Sequence, residues 1–300
     1  MRRWLRRTLI GLVGWRLFGP IIGPRFSPGQ EHPWRVGGRS VFVGDREFFV
    51  RQTGPEGAPD LVLIHGLAGS SLAEWYGAGP LLAENYRITF VDHRSHGLSP
   101  KSVDRFEIED VADDVAAVMS AVGVDRADVV GYSMGGTIAQ ALAFRHPHKV
   151  RRMALIATFA THVESWRWAR VVGVWVVRAW ERVTGVGTPE VRAAYLVLTG
   201  AVERKHARWM WEETHRREPE SGSAAGLALL RFDSSAWIGR LQQPALVVIP
   251  TRDLLVPPAW QYRLAALLAD ARVVEVEGAR HEVPWTHPAE LAKALTEFFD

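Results

Sequence analysis

The run Gly131-Tyr132-Ser133-Met134-Gly135 places a serine between two glycines, each two positions away. It follows a strand-like apolar stretch at 127–130 and precedes an alanine-rich, helix-like stretch at 137–145. A serine at the tip of so tight a strand–turn–helix passage sits in a strained backbone conformation. Its neighbours two positions away must be small, because the strand and helix backbones nearly touch there. The turn holds the hydroxyl away from its own backbone, above a helix N-terminus that favours negative charge. Ser133 is therefore a candidate nucleophile. A purely structural Gly/Ser turn would give the same pentapeptide, so the rest of the chain must decide.

The elements around it alternate. Short apolar runs recur at 61–64, 88–91, 128–130, 153–157, 245–249 and 272–276, and helical patterns lie at 72–84, 108–122, 137–145, 258–268 and 288–299. Unbroken apolar runs of this length suit strands buried on both faces. Strands alternating with helices predict an α/β fold, a mostly parallel central sheet flanked by helices on both faces. A hairpin at 40–43 and 47–52, turning on Gly44-Asp45, comes first. Residues 158–241 break the alternation. They show helical patterns, no convincing strand, and seven of the thirteen tryptophans: Trp166, Trp168, Trp175, Trp180, Trp209, Trp211 and Trp237. Inserted between two strands, this stretch reads as a helical cap over the strand C-termini, where open α/β sheets bind ligands. The expected organisation is an arm at 1–30, a core at 31–157 and 242–300, and a cap at 158–241.

The 300 residues are 47% hydrophobic and 23% charged, enough to bury a large core. Cysteine is absent, which excludes a disulfide, a thiol nucleophile and a cysteine metal site. The net charge of +3 is unevenly placed: residues 1–30 carry six arginines and no acid, which leaves −3 on residues 31–300. The body shows no basic stripe to track phosphates, so no nucleic-acid partner is expected. In the arm, Arg16 interrupts the apolar stretch, and Pro20 and Pro24 limit any helix, so a bilayer-spanning segment is not expected. No Ala-x-Ala-like cleavage site follows it. Arginines beside Trp and Leu suit a segment lying among lipid headgroups, and peripheral membrane contact through residues 1–30 is expected. The alternative is an arm packed on the body. A cytoplasmic or peripherally membrane-associated location is expected, export stays open, and the oligomeric state is not legible. His146-Pro147-His148 lacks a third ligand, and Gly135-Gly136 forms no dinucleotide or phosphate-loop pattern, so neither metal nor cofactor is expected.

Taken in order, His65-Gly66, Asp92-His93-Arg94-Ser95-His96-Gly97-Leu98-Ser99, Gly131-Tyr132-Ser133-Met134-Gly135-Gly136, Pro250-Thr251-Arg252-Asp253 and Gly278-Ala279-Arg280-His281 resemble the α/β-hydrolase superfamily, in its capped esterase, lipase and C–C hydrolase-like branch. The resemblance runs from about residue 40 to 300. It implies Ser133 as nucleophile, His281 as the base that takes its proton, and Asp253 as the acid that orients the imidazole. Asp253 could instead cap the helix near Pro258 or turn with Arg252, and Glu282 and Glu275 are weaker candidates. The resemblance also implies an oxyanion hole from the backbone N–H groups of Leu67 and Met134. Gly66, Tyr132 and Trp75 are the expected substrate-binding residues. His65, His96, Asp92, Arg94 and Ser99 read as structural, and His146, His148, His206 and His215 as helix or surface residues. Ser95 stands where the family usually has glycine, which puts the local loop shape in question.

The implied activity is a serine hydrolase acting on carboxylic esters, with an apolar or lipid-like acyl group, through an acyl-enzyme. The same three residues could serve a C–C hydrolase, thioesterase, acyltransferase or cofactor-free perhydrolase, since cap shape and water access decide among them. A non-catalytic ligand-binding protein on the same fold is the reading of another class. Tryptophans at helical spacing are more often core than pocket.

Overall fold

The computed structural model describes residues 34, 36–67, 69–99, 106–161, 167–184, 188–215 and 219–300. The expectations for the arm at 1–30 lie outside them. Eight strands form one sheet: β1 (Gly38–Val43), β2 (Arg46–Thr53), β3 (Asp60–Ile64), β4 (Arg87–Val91), β5 (Ala127–Tyr132), β6 (Val150–Ile156), β7 (Ala245–Pro250) and β8 (Ala271–Val276). Their order is β1-β2-β4-β3-β5-β6-β7-β8. β1 and β2 form the expected hairpin, with Gly44 at φ 62 in its two-residue turn. β2 also runs antiparallel to β4, and all other pairs are parallel. β5 and β7 are buried along their whole length, as strands covered by helices on both faces should be.

Strand order locates the site before any side chain is considered. After β3 the chain crosses to β4 on one side, then returns past β3 to build β5, β6, β7 and β8 on the other. In open α/β sheets the crevice at such a reversal, beyond the strand carboxyl ends, is where ligands bind. Here it lies between the ends of β3 and β5. Leu67 follows the first of these strands and Ser133 the second.

The helices 108–122 and 258–268 expected from periodicity are found at Ile108–Ala121 and Pro258–Leu267, and the last at Pro288–Phe299. The single helix expected at 72–84 is not formed. The chain makes two short helices, Ser71–Glu74 and Ala78–Leu82. Gly77 lies against the Pro284 carbonyl and the Pro288 ring, a contact that leaves no room for a Cβ and turns the chain between them. Among the described residues, the stretch between β6 and β7 holds the helices Arg167–Thr184, Thr188–Leu198, Ala207–His215 and Pro219–Arg231 and no strand beyond one bridge, Thr161 to Asp233. No helix of the described residues is long and apolar enough to cross a membrane.

The passage from β5 into the helix Met134–Arg145 is the tightest point of the fold. A Cβ on Gly131 would collide with the Gly135 carbonyl, and one on Gly135 with the Ile64 carbonyl at the end of β3. Gly136 faces the Thr158 side chain equally closely. Backbone has nowhere to move here, since β3 and β5 are paired through Ile64 and Gly131. Gly135→Ala is therefore expected to lower unfolding free energy by about 1–3 kcal/mol, the cost of overpacking a close-packed interior. In urea titration this is a lower midpoint at unchanged slope; an unchanged midpoint would contradict the reading of this contact.

Candidate active site

Ser133 occupies φ 54 and ψ −117, a left-handed backbone conformation that costs a non-glycine residue about 1–3 kcal/mol. It is held there from both sides. Its N–H donates to the Ile156 carbonyl at 2.9 Å, and its own carbonyl accepts from Gly136 N–H at 2.9 Å. The helix starts at Met134, three residues earlier than its sequence pattern, so its first-turn amides lie directly under the serine.

His281, in the loop after β8, meets this hydroxyl. Its Nε2 lies 3.0 Å from Ser133 Oγ, and its Nδ1 lies 2.8 Å from Asp253 Oδ2. The carboxylate can only accept, so Nδ1 carries the proton, and Nε2 is left to accept from the serine. Asp253 is itself fixed. Its Oδ1 accepts from the N–H groups of Leu255 and Val256, both at 2.9 Å, and Gln261 Nε2 donates to Oδ2 at 3.2 Å. Asp253 thus both makes a local turn and faces His281. Glu275 takes the Tyr262 hydroxyl instead, at 2.5 Å, away from the imidazole. Three side chains drawn from the ends of β5, β7 and β8 converge in one buried chain of hydrogen bonds.

Gly66 sits against Ser133: a Cβ there would lie 3.3 Å from the serine Cβ and 3.2 Å from the Tyr132 ring. Leu67 is the next residue along the chain. Tyr132 and Trp75, expected to bind substrate, are fully buried in the core below the sheet's end. The Tyr132 hydroxyl donates to the His281 carbonyl at 2.9 Å and its ring packs 5.3 Å from the imidazole, so it holds the histidine loop in place. Trp75 closes the short helix Ser71–Glu74 and packs in the core cluster with Leu82, Tyr86 and Trp285.

The open cleft beside His281 has a volume of about 180 Å³ and is lined by Tyr195, Arg252, Leu254, Leu255, Arg280 and Glu282. Tyr195, Leu254 and Leu255 have no signal in the sequence pattern, whereas Arg252, Arg280 and Glu282 adjoin Asp253 and His281. Two further contacts tie the helical stretch to the segment after β3. Ser70 Oγ donates to the buried Glu213 at 2.9 Å, and the Tyr76 hydroxyl lies 2.5 Å from Nδ1 of His206. His206 ends the short helix Arg204–His206 and is buried, its ring edge-on to Tyr76, on which Trp209 stacks.

The loop after β4 explains the motif residues expected to be structural. Asp92 accepts from the Ser71 N–H and hydroxyl and from Leu98 N–H, and Arg94 pairs with Asp114. Gly97, at φ 53, packs against the Asp92 carboxylate with no space for a Cβ. Ser95 adopts φ 65, the left-handed conformation for which glycine is the unstrained residue, so the loop keeps its shape with strain at this position.

The sheet order, the serine at the reversal point and the histidine–carboxylate pair define an α/β hydrolase. A family model described as alpha/beta hydrolase fold matches residues 59–196. A pimeloyl-[acyl-carrier protein] methyl ester esterase from Chromobacterium violaceum is 32% identical, over 81% of this chain and 94% of that protein. The chain belongs to the α/β-hydrolase family. A Caulobacter segnis protein assigned as carbamate hydrolase RutD is 27% identical over 90% of this chain and 95% of its own. Among solved structures, the enol-lactonase from Burkholderia xenovorans LB400 matches with a TM-score of 0.73 and 25% identity, covering 87% of this chain and 99% of that one.

A stack of two histidines braces the segment that carries Leu67. The rings of His65 and His93 stack at 3.9 Å. His93 N–H donates to His65 Nε2 and His93 Nε2–H donates to the His65 carbonyl, both at 3.1 Å, while His65 Nδ1–H donates to the Gly66 carbonyl at 2.8 Å. Burial, then repulsion from His65 and His96, pushes the His93 pKa well below its ordinary value. The unfolded chain binds a proton at this residue below about pH 6.5 and the folded chain does not, so stability falls as pH drops through that value. The expected slope is about 1.4 kcal/mol per pH unit for this one proton. Urea unfolding between pH 7.5 and 5.5 should show the loss, and His93→Phe should flatten it; equal slopes in both proteins would remove His93 as the cause.

Proposed function

We propose that this hydrolase cleaves carboxylic esters with an apolar acyl group, through an acyl-enzyme formed on Ser133. The observation that carries the proposal is the continuous Ser133–His281–Asp253 hydrogen-bond chain at the sheet's carboxyl end. His281 Nε2 takes the Ser133 proton as the hydroxyl oxygen attacks the ester carbonyl. The imidazolium is stabilised by the Asp253 carboxylate, whose remaining lone pairs are occupied by Leu255, Val256 and Gln261. The amides of Leu67 and Met134 receive the oxyanion, helped by the partial positive charge of the helix N-terminus. His281 then protonates the departing alcohol and activates the water that releases the acid.

Ester chemistry is supported by the names of the methyl ester esterase and the enol-lactonase, since a lactone is a cyclic ester. The apolar preference is supported by Leu254, Leu255 and Tyr195 in the cleft wall.

Ser133→Ala is expected to lower kcat on p-nitrophenyl esters by about 10⁴-fold or more, with the fold unchanged by circular dichroism. Asp253→Asn should cost about 10⁴-fold, because the amide would present an N–H to the imidazole and select the wrong tautomer. Wild-type turnover by the serine variant would end the proposal. Across an ester series, kcat/KM should rise about fourfold per CH₂ until the cleft is filled, from about 0.8 kcal/mol per buried CH₂. A flat series with strong activity would keep the nucleophile and reject the apolar acyl pocket.

A further inference from the structure

The helix Arg167–Thr184 turns its apolar side outward. Val172, Trp175, Val176, Val177 and Trp180 are 43–61% exposed, and their spacing of three and four residues groups them on one broad face. Val174 points the other way, toward Gly226 of the helix Pro219–Arg231. Apolar residues on a core-facing helix are normally the buried ones, so this arrangement is inverted. Contiguous exposed apolar surface of this kind marks a contact site. Its sequence is Trp and Val interleaved with Arg167, Arg170, Arg178 and Arg182 against the single Glu181. The half-buried Arg178 guanidinium lies over the Trp175 ring, 5.3 Å from its centroid, at the border of this face.

The position of this face relates it to the site. A Cβ on Gly226 would touch Val174 at 3.9 Å and Leu67 at 4.0 Å, so the helix lies one helix layer out from the segment after β3. A second patch of the same character sits at the cleft mouth. Leu254 and Leu255 are 84% and 63% exposed, beside Arg252 and Arg280.

Charge selects among the possible occupants. Residues 1–30 bring six arginines and no acid, and a second copy of the chain would bring the same arginine-rich helix. Either would set like charge against like. An anionic lipid surface supplies both what the Trp and Val side chains need and what the arginines need. We propose that the helix Arg167–Thr184, with the Leu254-Leu255 rim, docks on anionic lipid surfaces and brings the cleft mouth to the bilayer.

The test uses the full chain and two vesicle compositions, phosphatidylcholine alone and phosphatidylcholine with about a quarter phosphatidylglycerol. Trp175→Ser/Trp180→Ser should reduce partition to the anionic vesicles by tenfold or more and leave hydrolysis of a soluble short-chain ester unchanged. Because the chain has no cysteine, Val176→Cys carries a polarity-sensitive dye at one site. Its emission should shift to the blue on anionic vesicles and stay in place on neutral ones. Partition equal to wild type in the double variant, or an unshifted dye, would overturn the proposal. So would a change of oligomeric state in the double variant, seen by sedimentation, or new protease sensitivity within residues 1–30, since each would reveal a protein occupant of the face.

Discussion

The structure turns on a backbone crossing with no room for side chains. Where β5 passes into its helix, Gly131, Gly135 and Gly136 let strand, helix and the end of β3 approach to backbone contact. The one side chain at the apex, Ser133, is held at positive φ by bonds to Ile156 and Gly136 on either side. The strain is sustained because β3, β5 and β6 are paired and buried around it. Once the serine is fixed, the oxygen has a single direction to face, and the loops after β7 and β8 need only bring Asp253 and His281 to it. Tyr132, immediately before the serine, ties those two halves together through the His281 carbonyl.

The parts that position the site are of two kinds. On one side, Asp253, Gln261 and His281 form a buried polar chain: Asp253 accepts from Gln261 and from His281, whose Nε2 faces Ser133. On the other, the segment after β3 is braced from below by the His65–His93 stack and joined from above to the helical stretch by Ser70–Glu213 and Tyr76–His206. The cleft opens beside His281, with Leu254 and Leu255 sharing its rim with Arg252, Arg280 and Glu282.

Much of this was legible in the sequence. The sheet strands could be read because buried parallel strands are continuous runs of Val, Ile and Leu, and the serine because its glycines mark a crossing that other residues cannot make. The pairing of residues 133 and 281, 148 positions apart, has no local signal and came only from resemblance to a family. The break at Gly77 is not legible locally, because the residues it packs against, Pro284 and Pro288, are distant in sequence. Gln261 gives no signal and His206 reads as a helix or surface residue for the same reason: a polar residue on a helix looks exposed until its partners, Asp253 and Tyr76, are known. Trp75 and Tyr132 were expected at the cleft from their nearness to motif residues, but nearness along the chain does not say which face of a tight turn a side chain takes.

The central claim is that Ser133 is the activated nucleophile of this fold. Treating the native protein with a fluorophosphonate and mapping the adduct by mass spectrometry tests it most directly. The account predicts one covalent phosphonyl group, on Ser133, formed far more slowly when His281 is replaced by alanine. An unmodified Ser133 in the folded wild-type protein, or labelling at the same rate without the imidazole, would contradict it.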